Sequence, residues 1–233
     1  MADIAVNLRA VRQRVDQAAE RSGRDPSAVE LLVVTKTWPP EVISEVLEAG
    51  HQLLGENKLQ EAGAKIPELD GAARWHFIGH LQRNKARKAL VLFEAIHSID
   101  SLRLARHLDR VAGELGQRPE VYLQVNTAGE ESKSGFGVTE LRDALDDLFA
   151  LEHLQIAGLM SIPPAVGDSE AARPFFRELR ELRDGLEGLG VSLPGLSMGM
   201  SSDFEVAIEE GATIVRVGSS IFGPRGPEGV PSP

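Results

Sequence analysis

The chain has 233 residues, 25 basic against 35 acidic side chains, a formal net charge of −10 and no cysteine. That length admits two small domains or one large barrel or sandwich, but not a barrel of about 250 residues with a second full domain beside it. Without cysteine there are no disulfides, thiolate zinc sites, iron–sulfur clusters or cysteine nucleophile, which fits a cytoplasmic protein, and the acidic balance argues against bulk attraction to nucleic acid or a membrane surface.

Ile4, Leu8, Val11 and Val15 recur at helical spacing, so a helix opens the chain and the Ser22-Gly23-Arg24-Asp25-Pro26 segment ends it. It carries no signal-peptide apolar block. Leu31 to Val34 form a short continuous apolar run, the mark of a strand buried on both faces. The two patterns then alternate. Helices are predicted over 39–50, 58–66, 82–91, 101–114, 139–150, 169–188 and 203–210, with a short apolar segment over 220–222. Between them lie predicted strands over 52–54, 75–78, 95–98, 121–125, 154–160, 196–198 and 213–217. No apolar run approaches the roughly 18 residues of a membrane span.

That makes eight strands, each followed by a helix, at about 25 residues per unit, close to the minimum for such pairs. The expected fold is α/β: a single (β/α)8 TIM barrel with an extra N-terminal helix, over 1–223. A flexible tail rich in Pro and Gly is expected over 224–233.

Barrel enzymes place working residues at the C-terminal ends of the strands. Here those positions hold Thr35-Lys36-Thr37, Gly55-Glu56-Asn57, Gly79-His80, Ser98 with Asp100, Asn126, Ser161, Gly199 to Asp203, and Gly218-Ser219-Ser220. Lys36 follows four apolar residues and a threonine, which desolvates its stem. Desolvation lowers a lysine pKa and frees the amine as a nucleophile toward aldehydes. The competing reading is a strand-end lysine that snorkels to water. The loops after strands 7 and 8 are the usual phosphate address of such barrels, and both carry Gly and Ser. Against this, Ser202-Asp203-Phe204-Glu205 fits a helix capping box, and Ser219 can cap the last short helix. An imine-forming lysine with one phosphate site suggests pyridoxal 5′-phosphate (PLP), although a sugar-phosphate aldolase uses the same two parts.

Other groups weigh less. His76 and His80 span a strand-to-loop junction and do not make a helical metal pair; no metal is expected. Arg83, Lys85, Arg87 and Lys88 read as a solvated helix face, Lys133 as a loop lysine, and Met198 and Met200 as packing residues.

The segments 33–37, 55–57, 76–85, 158–160, 196–203 and 215–223 together resemble the pyridoxal-phosphate homeostasis protein family, the single-barrel family related to the N-terminal domain of alanine racemase. The resemblance covers nearly the whole chain. It implies Lys36 as the Schiff-base lysine and phosphate contacts from Ser201, Ser202, Gly218 and Ser219. It also implies Asn57 beside the cofactor, Ile78 and Met198 near its ring, and Arg216 facing the pyridine nitrogen; His80, read from its place after strand 3 alone, either flanks a ring or has a surface or supporting role.

An arginine there leaves that nitrogen unprotonated and weakens the ring as an electron sink. Alanine racemase uses a second domain to build its dimer and supply a tyrosine, and the length leaves no room for one. The only tyrosine, Tyr122, falls within strand 5, away from the expected mouth. The expectation is therefore a monomeric, cytoplasmic PLP carrier that buffers the cofactor or delivers it to apoenzymes, with no catalytic residue of its own. The alternative is a PLP-dependent racemase or lyase of low activity.

Overall fold

The computed structural model describes residues 3–69, 71, 73–129, 134–164 and 167–223. Lys133 and the tail over 224–233 lie outside the described residues. Eight parallel strands close into a barrel in sequence order. They are β1 (Glu30–Val34), β2 (Leu53–Glu56), β3 (Arg74–Phe77), β4 (Ala95–Ile99), β5 (Glu120–Gln124), β6 (Gln155–Met160), β7 (Gly195–Met200) and β8 (Ile214–Val217). The β1–β8 pairing that closes the ring sets Leu31 opposite Val215 and Val33 opposite Val217.

The helices are α1 (Ile4–Arg21), α2 (Pro40–Glu48), α3 (Leu59–Lys65), α4 (Ala86–Leu92), α5 (Leu102–Leu115), α6 (Val138–Asp143), α7 (Leu145–Phe149), α8 (Arg173–Glu187), α9 (Phe204–Glu209) and α10 (Ser219–Phe222). Each strand-to-strand connection carries at least one, as expected. Three helices differ from the sequence reading, the one expected over 82–91 opening with a 3-10 turn over Arg83–Lys85 before α4. The span expected as one helix over 139–150 is broken at Ala144 into α6 and α7. The helix expected from Ser169 begins with a 3-10 turn and becomes α-helical at Arg173, where Pro174 occupies the first turn and its missing N–H costs nothing.

Strand alternation divides the interior into two layers. Leu31, Val33, Leu54 and Phe77 face the helices and join the main core. Leu32, Val34, Leu53, Tyr122, Met160 and Ile214 point into the lumen and form a second cluster. Gly55 lets that lumen fill, since a Cβ there would lie 2.1 Å from Leu32 Cδ2.

Helix α1 packs on α9 and α10, next to the barrel seam. Asp3 caps it by accepting the Val6 N–H at 2.9 Å. Arg14 and Arg21 pair with Glu205 and Glu209 of α9, and Arg24 donates to the carbonyls of Ile208 and Ala212. The N-terminal helix thus ties the chain's start to its last βα units. No helix is long and apolar enough to cross a membrane among the described residues.

Candidate functional site

The C-terminal ends of the strands surround an open cavity of about 660 Å³. Of the ten candidates read from sequence, nine line it: Lys36 after β1, Asn57 after β2, Ile78 and His80 after β3, Ser201 and Ser202 after β7, Arg216 in β8, and Gly218 and Ser219 at the start of α10. Met198 does not. It is fully buried in the outer core, between the barrel and its helices. The β7–β8 pairing shifts register between Ser197 and Met200, and it is Met200 that reaches the mouth. Gln124, Ser134 and Ile162 also line the cavity and were not singled out by sequence.

The serine cup is built from two loops. The Gly218 N–H donates to Ser201 Oγ at 3.1 Å, and Ser220 Oγ donates to the Ser201 carbonyl at 3.3 Å. The Ser201 hydroxyl proton therefore remains available to donate into the mouth. Neither capping alternative is realised. Asp203 is the N-cap of α9, and Gly218 precedes α10. Asp203 Oδ1 instead accepts the Met200 N–H at 2.6 Å and tightens the turn that carries Ser201 and Ser202. Gly199 makes that turn possible: its φ is 90°, and a Cβ there would lie 2.5 Å from Ala207 Cβ.

Arg216 is 4% exposed. Its NH1 donates to the Ser197 carbonyl at 2.6 Å and the Ser197 hydroxyl at 2.7 Å, and NH2 donates to the Ser161 carbonyl at 2.8 Å. Burial pushes the guanidinium down to about 10, opposed by the Asp203 carboxylate, so it stays charged at neutral pH.

Beneath it runs a polar chain that sequence reasoning missed. Ser197 Oγ lies 2.8 Å from His97 Nδ1, and His97 Nε2 lies 3.0 Å from His76 Nδ1. An arginine only donates, and the order that puts every proton of the chain to use runs outward from it. In that order Ser197 accepts from Arg216 and points its own proton at His97 Nδ1. His97 then carries its proton on Nε2 and donates to His76 Nδ1. Both rings must be neutral, as their burial demands. Burial, with Arg74 second, lowers His76 to about 4, and burial, then His76 and Arg216, holds His97 well below the usual histidine value.

At the rim His80 Nδ1 lies 3.1 Å from Asp100 Oδ2, with the imidazole side chain 59% exposed. The basic cluster lies on the outside: Arg83, Arg87 and Lys88 are exposed, and Arg87 pairs with Glu114. Tyr122 is far from the mouth in the fold. Its ring lies tilted against His97, centroids 4.4 Å apart, and it lines a separate cavity with Glu30 and Glu120, the first residues of β1 and β5. Burial, then Glu120 and Glu30, raises its phenol above the usual value. No cluster of three or more metal-ligating side chains occurs among the described residues.

The residues present fit a small phosphorylated aldehyde. The mouth offers a lysine, a buried guanidinium, serine hydroxyls on two glycine turns, and a buried Asn57 Oδ1 with no hydrogen-bond partner. The volume lies within the usual range of about 300–1,000 Å³ for small-molecule sites.

Comparison with known proteins agrees with this geometry. The model for the alanine racemase N-terminal domain matches residues 6–226. A pyridoxal phosphate homeostasis protein of Aquifex aeolicus is 44% identical over 220 residues, covering 94% of this chain and 96% of that one. A protein of the same name from Pseudomonas aeruginosa is 43% identical over 232 residues, 97% of each chain. Among solved structures, PipY of Synechococcus elongatus with PLP bound superposes with a TM-score of 0.84 at 41% identity, covering 94% of this chain and 100% of that one.

Proposed function

The chain belongs to the pyridoxal phosphate homeostasis protein family, within the alanine racemase N-terminal domain family, and from that membership we propose that it holds PLP reversibly at Lys36 and buffers or delivers it inside the cell. When bound, the cofactor supplies a carbonyl group that a lysine amine captures reversibly. The side chains of Ser201, Ser202 and Ser219, with the Gly218 backbone, hold the phosphate. Arg216 faces the ring nitrogen. Asn57, Ile78 and His80 flank the ring, and Met200 takes the place first expected of Met198. The observation that carries this reading is the convergence of Lys36, Arg216 and the serine cup on one cavity.

A carrier is favoured over a racemase or lyase by what surrounds the mouth. The chain's only tyrosine lies in the lumen against His97, at the end opposite Lys36. The mouth is wide, with a mostly exposed His80 at its rim, which suits exchange with solvent or with client apoenzymes. The protein acts in the cytoplasm as a monomer on this reading, consistent with its lack of cysteine.

The test is loading. The purified protein incubated with PLP gains a visible absorbance that Lys36→Ala abolishes. Equal absorbance in Lys36→Ala would refute the assignment.

A further inference from the structure

Helix α3 grips both peptide groups that flank Lys36. Thr37, the next residue, has φ of 70° and is the one non-glycine residue with positive φ among those described. A β-branched residue fits that left-handed region poorly, because its Cβ crowds the backbone. Such a conformation persists where the surroundings impose it. Here the Thr37 N–H donates to Glu61 Oε2 at 3.2 Å. On the other side of Lys36, the Thr35 carbonyl accepts from Lys65 Nζ at 3.1 Å. The Thr35 hydroxyl donates to Glu56 Oε1 at 2.6 Å, and Lys65 pairs with the same oxygen at 2.8 Å. Glu56 and Lys65 are buried, with side chains 0% and 8% exposed. Glu61 and Lys65 are four apart and so share one face of α3.

We propose that Glu61 is a positioning residue, whose carboxylate keeps Thr37 left-handed so that Lys36 enters the mouth, while Lys65 and Glu56 fix the preceding peptide. This rests on the reading of Lys36 as the PLP-holding amine. Sequence spacing gives no hint of it, because α2 and β2 lie between Thr37 and Glu61. Glu61 is suited to the task as an anion. Burial alone would raise its pKa, but the Lys58 ammonium, the Thr37 amide and Lys65 hold it below the usual carboxylate value. Its Lys58 partner, 2.9 Å away, is 64% exposed, so truncating Glu61 disturbs little of the core.

The test compares wild type, Glu61→Ala, Thr37→Gly and the double variant. Amide exchange at Thr37 is read on cofactor-free protein, and the PLP dissociation constant is read by absorbance. Glu61→Ala is expected to speed Thr37 exchange and to weaken PLP binding, each by about tenfold, the scale of one hydrogen bond to a charged acceptor. Glycine accepts a φ of 70° without a tether, so Thr37→Gly is expected to bring the effect of Glu61→Ala on binding below about threefold. Unchanged Thr37 exchange in Glu61→Ala would overturn the proposal. So would a binding loss of equal size with and without Thr37→Gly. The exchange arm needs no cofactor and decides the clamp even if Lys36→Ala still holds PLP, a result that refutes the functional reading instead.

Discussion

Arg216 donates from one nitrogen to both the carbonyl and the hydroxyl oxygen of Ser197, at 2.6 and 2.7 Å, deep in the barrel. That pair joins the mouth to the lumen. In the order that puts every proton to use, the Ser197 hydroxyl donates to His97 Nδ1 and His97 Nε2–H donates to His76 Nδ1, so the guanidinium heads a chain of four side chains. Ser197→Ala removes the link and leaves the His97 Nδ1 acceptor without a donor. A buried polar atom left unpaired costs about 1–3 kcal/mol. Chemical denaturation should show a loss of that size, and the affinity for PLP should fall because Arg216 loses one of its three anchors.

The histidine pair makes stability depend on pH. His76 is lowered to about 4 from 6.5, and His97 is also lowered. Below the unfolded value the unfolded chain binds protons that the folded protein refuses. Stability is therefore full above about pH 6.5 and falls steadily as the pH drops toward 4, by roughly 3 kcal/mol for His76 alone. Denaturation midpoints measured across that range should follow this slope, and His76→Gln should flatten part of it. The imidazole nitrogen resonances should show His97 as the Nε2–H tautomer at neutral pH.

Outside the barrel, Glu210 accepts from three arginines of the preceding helix: Arg173 at 3.1 Å, Arg177 at 3.2 Å and Arg180 at 2.7 Å. Its side chain is 6% exposed. The three arginines are partly exposed, and Arg173 keeps Glu170 and Glu209, so removing Glu210 costs about 1–2 kcal/mol, the scale of lost hydrogen bonds to a charged group. Glu210→Ala should lower stability by that order in urea denaturation while leaving the PLP-derived absorbance per folded molecule unchanged.

Two methionines separate packing from function. Met198 is fully buried in the outer core, whereas Met200 lines the mouth. Met198→Ala should cost about 3 kcal/mol of stability and leave PLP affinity within about twofold. Met200→Ala should do the reverse, with a stability change below about 1 kcal/mol and a measurable loss of affinity. Parallel denaturation curves and PLP titrations of the two variants decide this.

Such pairs mark where the sequence was readable. Buried parallel strands announce themselves as apolar runs, as Leu31 to Val34 do, and the residue that ends each run marks the mouth. That was enough to place Lys36, Asn57, His80 and the serine cup at the mouth, whereas Ile78 came from the family resemblance. Which face a residue takes within a strand depends on register. Alternation from the inward Ser197 puts Met198 outward, and the irregularity between Ser197 and Met200 brings Met200 to the mouth, which periodicity cannot announce. The lumen chain was hidden for a related reason. His97 and Ser197 sit inside strands buried on both faces, where no polar alternation marks the inward side. The Glu61–Thr37 contact was invisible because it joins a helix to a loop through tertiary structure alone.

PLP held reversibly at Lys36 can be handed on, and transfer to an apoenzyme shows this most directly. The protein is loaded with PLP, freed of excess, and mixed with the apo form of a PLP-dependent enzyme, and the recovery of that enzyme's activity is timed against free PLP at equal concentration. Full recovery is expected, at a rate that differs from that with free cofactor and with the absorbance of the donor falling in step. No recovery, or a donor absorbance that never falls, would contradict a carrier and leave a protein that holds its cofactor for chemistry of its own.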